Sequence, residues 1–451
     1  MDSLKESYRM PRASTTCALV IAASMGTASA VEINQTLYGE TLIEGVSWQR
    51  FPLDQINRSD GDSDRPDGNN SVGWMRAKLG AKIQIQDRVE TNISLVYDAE
   101  AGAPGDDAMA GSIHLNDANV LLRRFIFPDL HLRIGRQPVS YNLRKGKGGF
   151  LYDSRANSPQ VTSWDGVRAH YNWDTLTFQP YTFLLSNDDT SVDGTNTLSG
   201  VHVDWQPDGV AGDGRVFVTG SLSLERNIVF DRRDSDNPQV GDRLMNYYIG
   251  LEWERPNGWT FWGEGAFQEG RLDSDRKFRG YALSAGVDWD VPGNNNAIVG
   301  IQIDHRSGDK DPEESGSYTN FVAPHEGISD TRIMEHERYG ELSNLLVGNM
   351  QALKVSAEYK FDQYLPRNPL HLKFTWGYFL RDESPSGQSD FLGNEFDLSM
   401  GWQYAPGTTV NVFGAVFRPG RGMEQLINDA YSDTTSGRTM YLLGANLQVN
   451  F

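Results

Sequence analysis

The sequence predicts an all-β fold, a transmembrane antiparallel β-barrel of about 18 strands with short periplasmic turns and long extracellular loops. Three observations predict this fold. Apolar and polar residues alternate along many segments, short and long connections alternate between those segments, and the chain opens with a segment typical of secreted proteins. The formal net charge of −19 makes the chain acidic, which argues against nucleic acid as a partner.

The first segment, residues 1–30, has the composition of a secretory signal peptide. Basic residues come first, an apolar run follows from Cys17 to Ala23, and Ala28-Ser29-Ala30 provides an A-x-A cleavage site. We therefore predict two parts, a signal peptide at 1–30 and a single barrel domain at 31–451. Because Cys17 is the only cysteine, the predicted mature chain contains no disulfide bond.

Alternation is clearest between Trp74 and Gln86. Met75, Leu79 and Ile83 belong to an apolar set at every second position, and basic or amide side chains occupy most of the positions between them. The segment 370–380 repeats the pattern. A strand with one apolar face and one polar face suits a barrel that has lipid outside and water inside. A closed barrel also pairs every strand, which is required because the bilayer offers no partners for backbone groups.

The lengths of the connections support the same architecture. Long connections such as 138–163 and 307–349 alternate with turns such as Arg255–Gly258. A membrane barrel requires this alternation, because its periplasmic turns are short and its outer loops are long. The predicted strands are 33–49, 72–86, 88–98, 113–126, 130–137, 164–171, 175–186, 198–206, 214–226, 243–254, 259–269, 277–290, 296–306, 350–361, 369–381, 391–403, 408–418 and 438–451.

The carboxy-terminal strand ends on Phe451, with Tyr441, Leu443, Leu447 and Val449 on the same face. A terminal aromatic residue of this kind resembles the signal that bacterial barrels present to the barrel assembly machinery. The sequence therefore predicts an integral protein of the bacterial outer membrane, with outer-membrane lipids and lipopolysaccharide as its surroundings.

Several motifs resemble those of the alginate-export family of outer-membrane porins. Gly135-Arg136-Gln137 ends one strand, and Asp165-Gly166-Val167-Arg168 opens the next one. The segments 338–345 (RYGELSNL), 404–407 (YAPG) and 417–420 (FRPG) add to the resemblance in the same order along the chain. The resemblance implies an 18-stranded barrel that exports an acidic polysaccharide passively through a pore lined with cations.

The alternation and the motifs together supply the candidate pore-lining residues. Basic side chains attract carboxylates, and a pore must bind them loosely enough to release them. Acidic residues share the polar face of the predicted strands, which leaves open whether the pore prefers anions. The candidates for substrate binding are Arg76, Lys78, Lys82, Arg133, Arg136, Arg168, Arg338, Lys373, Arg381, Asp165 and Glu341.

Three other functions remain open from the sequence. A general or substrate-specific diffusion porin for small polar solutes is the nearest alternative, an outer-membrane enzyme is the second, and a sleeve around a partner protein is the third. The sequence shows no Ser, His and acid arrangement with a supporting motif, so we predict no catalytic residues, no metal and no cofactor. The expected partners are an anionic saccharide or a small polar solute, together with a periplasmic export partner. The long loop 138–163 is a candidate inward-folding gate.

Overall fold

The computed structural model describes the larger part of the chain. It covers residues 32–50, 70–101, 111–141, 143, 149–150, 163–185, 196–209, 214–231, 239–292, 296–311, 316–322, 330–335, 348–361, 368–431 and 437–451. The predicted signal peptide at 1–30 lies outside the described residues. Within the described part of the chain, no helix is both long enough and apolar enough to cross a membrane.

Eighteen antiparallel strands form one closed barrel. Each strand pairs with its neighbours along the chain, and β1 closes the ring by pairing with both β2 and β20. The elements in chain order are β1 (Ile33–Gln49), β2 (Asn70–Ile85), β3 (Val89–Ala101), β4 (Gly111–Leu122), β5 (Leu130–Gln137), β6 (Trp164–Trp173), β7 (Leu176–Leu185), β8 (Asn196–Trp205), β9 (Arg215–Asp231), β10 (Gln239–Glu254), β11 (Trp259–Arg271), β12 (Arg276–Phe278), β13 (Tyr281–Asp290), β14 (Ala297–Arg306), β15 (Gly316–Tyr318), β16 (Met350–Phe361), β17 (Leu370–Leu380), β18 (Phe391–Ala405), β19 (Thr408–Pro419), α1 (Arg421–Tyr431) and β20 (Met440–Asn450).

The two faces of the barrel differ as the alternation predicts. Large apolar side chains such as Leu79, Ile249 and Leu283 are exposed on the outer face. Polar side chains such as Glu252 and Glu395 lie buried on the inner face. Each of the eighteen strands is paired on both sides within the ring, so the strands can cross a membrane without a free edge.

The barrel closes at a seam between its first and last strands. Gly39 and Phe451 exchange two backbone hydrogen bonds, of 2.8 and 3.0 Å. The Phe451 ring lies over Gly39 so closely that a Cβ atom at this position would overlap it. A side chain at position 39 would therefore displace the terminal ring.

The connections alternate as predicted. Turns at the periplasmic end include 86–88, 174–175 and 406–407, whereas loops at the outer end include 138–163 and 307–349. We call 138–163 the third loop, 307–349 the seventh loop and 420–439 the ninth loop. Helix α1 lies in the ninth loop.

The observed strand bounds differ from the predicted ones in two informative places. The predicted strand 277–290 is wrong at its beginning, because Arg276–Phe278 forms β12, which pairs in parallel with β15 of the seventh loop outside the barrel sheet. In addition, β9 and β10 extend several residues beyond the predicted ends of 226 and 243. One face of this extension packs on the rim elements, because Ile228 is fully buried in an apolar cluster with Phe278 of β12 and Tyr318 of β15. The extension therefore does not follow the lipid-and-water alternation that predicted the other strands.

Candidate functional site

Five of the eleven candidate residues lie together on one side of the lumen. Five basic side chains project inward from β2, β5 and β6, and we call this group the basic wall. Its members are Arg76, Lys78, Lys82, Arg133 and Arg168. The alternation of β2 places the first three inward, because Leu79 between them is 61 % exposed on the outer face.

The three basic residues of β2 each meet a carboxylate on β3 or β4. Arg76 Nε lies 2.9 Å from Asp98, Lys78 Nζ lies 3.0 Å from Asp117, and Lys82 Nζ lies 3.0 Å from Glu90. The side chain of Lys82 remains 45 % exposed despite its ion pair. Partly exposed ion pairs stay accessible to a competing anion, since water screens them.

Arg133 and Arg168 are the strongest positive feature of the wall. They lie directly opposite each other in the register of β5 and β6. Arg133 donates to the Asn119 side chain at 2.6 Å, and its nearest carboxylate is Glu90 at 4.0 Å. Among the described residues, no carboxylate lies within the 4 Å ion-pair distance of Arg168. Arg168 also lies within hydrogen-bond distance of the Tyr141 hydroxyl. Two adjacent guanidinium groups with so little carboxylate compensation create a positive potential on this wall.

The third loop folds into the lumen beside this pair. Tyr141 stacks on His202 at a centroid distance of 4.2 Å, and burial raises the pKa of Tyr141 to about 12 despite the nearby Arg168. Farther along, the backbone N–H of Gly149 donates to Glu264 on β11 at 2.8 Å. The described part of the third loop therefore reaches from β5 to β11 inside the barrel. The sequence had offered this loop only as a candidate for inward folding.

The seventh loop enters the same space and meets the third. Phe321 packs edge-on against Phe150 of the third loop, with centroids 5.4 Å apart. The segment 330–335 then lies against the inner wall, where Thr331, Ile333 and Met334 are buried. Loop-to-loop packing inside the barrel narrows the water-filled space.

Two polar anchors hold the segment 330–335 in place. Lys354 of β16 is 3 % exposed and lies 2.8 Å from each of Asp304, Asp330 and Glu335. Glu395 of β18 is fully buried and accepts backbone N–H bonds from residues 332, 333 and 334 at 2.6 to 2.8 Å. The first anchor joins charges, and the second satisfies backbone donors that would otherwise be buried without partners.

The ninth loop completes the inner packing. Met423 and Ile427 of α1 are buried in one apolar cluster with Ile333 and Met334 of the seventh loop and with inward residues of β1, β2 and β16 to β20. Buried apolar side chains of the inward loops thus pack on strands from β6 round to β2. Within the basic wall, Lys82 keeps 45 % of its side chain exposed. A passing solute would meet the basic wall on one side and the loops on the other.

The structure corrects one pair of candidates. Arg136 and Asp165 form a bidentate ion pair, at 2.6 and 3.1 Å, on the outward face of β5 and β6. Asp165 pairs across the sheet with Leu184, which is 52 % exposed, and Arg136 shares the face of Ile134. The prediction that this pair lines the pore is wrong, because both side chains lie on the outward face. The family motif, and not the alternation, had assigned them to the pore.

The remaining candidates are scattered. Lys373 of β17 is exposed on the inner face of another wall, near Thr375. Arg381 follows β17 at the outer end, is buried, and donates to Gln388 at 2.7 Å. Arg338 and Glu341 lie outside the described residues.

Sequence reasoning assigned no site role to the acidic cluster around Lys354 or to Glu395. The alternation of β14, β16 and β18 places Asp304, Lys354 and Glu395 inward, which is the only signal the sequence contains. Their partners Asp330 and Glu335 come from a loop without periodicity. Within the part of the chain that the structure describes, no group of three or more His, Cys, Asp or Glu residues is placed to hold a metal ion.

Comparison with known proteins decides the family. The sequence model of the family described as Alginate export matches residues 70–433, which is most of the chain. The chain belongs to the alginate-export family. As a member of this family with a closed 18-stranded barrel, it is an outer-membrane channel. A comparison with curated proteins finds no significant match.

Solved structures of outer-membrane porins share the fold of this alginate-export family member. OccK11 (OpdR) of Pseudomonas aeruginosa is 10 % identical with a TM-score of 0.55, and the match covers 92 % of this chain and 96 % of that one. OccAB4 of Acinetobacter baumannii is 11 % identical with a TM-score of 0.53, covering 92 % and 99 %. OpdL of Pseudomonas aeruginosa is 10 % identical with a TM-score of 0.56, covering 93 % and 98 %. The TM-scores show a common fold, and identities this low show nothing more than that.

Proposed function

We propose that this channel passes anionic saccharides, such as uronate oligosaccharides or chains, across the outer membrane along its basic wall. The observation that carries the proposal is the facing pair Arg133 and Arg168, which has almost no carboxylate compensation in the described lumen. Guanidinium binds carboxylate through two parallel hydrogen bonds and stays charged at any working pH. A uronate therefore finds a matching partner on the wall.

The wall also provides successive contacts along the channel. On β2, Lys82, Lys78 and Arg76 occupy inward positions in order from the periplasmic end toward the outer end. A strand rises about 3.4 Å per residue, so these side chains are spaced about 7 to 14 Å apart along it. Their carboxylate partners weaken each contact, which favours release and onward movement of an anion.

A second function has its own supporting observation. The third and seventh loops meet inside the lumen, through Phe150 and Phe321, and narrow the passage. A narrow passage favours diffusion of small acidic solutes over the export of a long chain. Both functions use the basic wall, and they differ in the largest solute that passes.

Conductance in a planar bilayer tests the proposal. We expect wild-type channels to prefer anions and to be blocked by oligouronate. In the double variant R133Q/R168Q we expect a lower anion preference and a block weakened about tenfold, since each good charge-assisted contact contributes about 1.5 to 3 kcal/mol before screening. The matched control is R88Q/R255Q, which changes two exposed arginines in periplasmic turns.

The folded state of each variant is checked by its heat-modifiable migration on a gel. Unchanged selectivity and unchanged block in a folded R133Q/R168Q variant would remove the basic wall from the mechanism. Liposome uptake of uronates of increasing length then separates the two functions. Passage of the monomer and dimer alone would favour the diffusion porin.

A further inference from the structure

Three arginines lie side by side on the outward face of the barrel, close to its outer rim. Arg243 of β10 pairs in register with Arg226 of β9 on one side and with Arg271 of β11 on the other. All three share the outward face with Tyr247 and Ile249. Neighbouring strands lie about 4.8 Å apart, so the three guanidinium groups project from a row about 10 Å wide. We call these residues the arginine row.

The row carries positive charge that the described chain leaves largely uncompensated. Arg226 and Arg243 are exposed, and no carboxylate among the described residues lies within the 4 Å ion-pair distance of either one. Arg271 donates to Asp242 at 2.6 Å. The nearest other acid below the row, Glu269, accepts the Tyr247 hydroxyl at 2.7 Å. Like charges directly opposite across a sheet are destabilising, so an anion bound there would relieve the repulsion.

The height of the row fits the phosphate level of the outer leaflet. Near the periplasmic end, Trp259 stacks on Trp289 at 5.4 Å and marks the lower boundary of the apolar band. Arg271 follows Trp259 on β11 by 271 − 259 = 12 residues. With about 3.4 Å per residue and a tilt of about 40°, this distance rises about 30 Å. The apolar band of such barrels is about 25 Å tall, so the row stands just above it.

The surface below the row is shaped for a hydrocarbon chain. A shallow apolar groove of about 880 Å³ begins at Ile249 and Leu251 of β10. Its floor on β11 contains Gly263 and Gly265, which carry no side chains, and the groove continues past Leu283 of β13 to Leu353 of β16 and Tyr378 of β17. Cations above an apolar groove match a molecule with an anionic head and an acyl tail.

We propose that the arginine row binds the phosphate groups of an outer-leaflet lipid, with lipid A as the ligand and an acyl chain lying in the groove. Guanidinium groups bind phosphate oxygens in bidentate fashion, and two phosphates on one lipid span a row of this width. The site lies on the outer surface, so it is independent of the basic wall and of the cargo.

Lipid binding to the full-length protein, folded in detergent, tests the proposal. The probe is bisphosphorylated lipid A, and dephosphorylated lipid A is the chemical control. We expect the triple variant R226Q/R243Q/R271Q to lose about tenfold or more in affinity for the phosphorylated probe. The matched control is R88Q/R124Q/R255Q, which neutralises three arginines of the periplasmic turns and should bind like wild type. Dephosphorylated lipid A should bind all three proteins equally weakly.

Heat-modifiable migration confirms that each variant is folded. If the triple variant does not fold, the single variant R226Q replaces it, and a severalfold loss of affinity is expected. Equal affinity in wild type and the folded row variant would overturn the proposal. So would competition by inorganic phosphate at the same concentration as lipid A, which would indicate a site for a free anion. A change of oligomeric mass with unchanged lipid binding would instead show that the row joins two copies of the chain.

Discussion

At the scale of single residues, Lys354 is a buried cation in contact with three carboxylates. Its ammonium group compensates three carboxylates, and burial raises the pKa of the Glu335 carboxyl in the seventh loop. Breaking a buried ion pair by removing one partner costs about 3 to 5 kcal/mol, because the remaining charge stays buried without compensation. Lys354 is thus one of the two polar anchors that hold the segment 330–335 against the wall.

We predict that K354M releases the segment 330–335. Repulsion among the uncompensated carboxylates should lower the melting temperature and expose Arg332 to trypsin, measured by limited proteolysis and mass spectrometry. The effect should shrink as the pH falls, because protonation of the carboxylates removes the uncompensated charge. The control is K373M, which removes an exposed lysine of the inner face. Equal cleavage at Arg332 in both variants would mean that Lys354 does not hold the loop.

At the scale of elements, the alternating faces of the strands determine what a substitution costs. Leu79 on β2 and Phe374 on β17 are 61 % and 40 % exposed on the outer face, where lipid surrounds them. Gln84 on β2 lies on the inner face of the same barrel. A charge added outside must enter hydrocarbon, whereas a charge added inside meets water.

We predict that L79R or F374R lowers the free energy of unfolding by about 2 to 4 kcal/mol in a lipid bilayer, the range for arginine near the midplane. The variant Q84R should change it by less than about 1 kcal/mol. Reversible urea unfolding in lipid vesicles measures all three. A cost for Q84R as large as that for the two outward variants would contradict the assigned faces.

At the scale of the whole molecule, the parity of the connections fixes the orientation in the membrane. The third, seventh and ninth loops leave the same end of the barrel, and the short turns leave the other end. The beginning of β1 and the end of β20 therefore lie on the side of the short turns. Loops long enough to fold back into the lumen are available at one mouth only.

We predict that cysteines introduced at Asp64 and Asp311 react with a membrane-impermeant maleimide on whole cells. A cysteine at Asn257, in a periplasmic turn, should react only after the outer membrane is opened. Because the sole natural cysteine lies in the predicted signal peptide, each introduced thiol gives its own signal. Equal labelling of all three positions on intact cells would contradict the orientation.

The sequence by itself determined the barrel, the approximate strand bounds and the face on which most residues lie. Alternation is a local property with a period of two, so Arg133 and Arg168 could be placed on the inner face without a structure. The prediction was wrong for Arg136 and Asp165, where a motif and not the alternation had assigned the inner face. It also failed at Arg276–Phe278, where the strand joins a second, smaller sheet.

Only the tertiary structure decided which inward residues share a site. The strands bring Arg133 to Arg168 through register, and that register is set by pairing between segments that a long loop separates. The third, seventh and ninth loops lack periodicity, so their entry into the lumen depends on long-range contacts such as Lys354 with Glu335 and Phe150 with Phe321. A local pattern fixes whether a side chain points inward or outward. Which distant residues it then contacts depends on how the strands and loops of the whole barrel pack together.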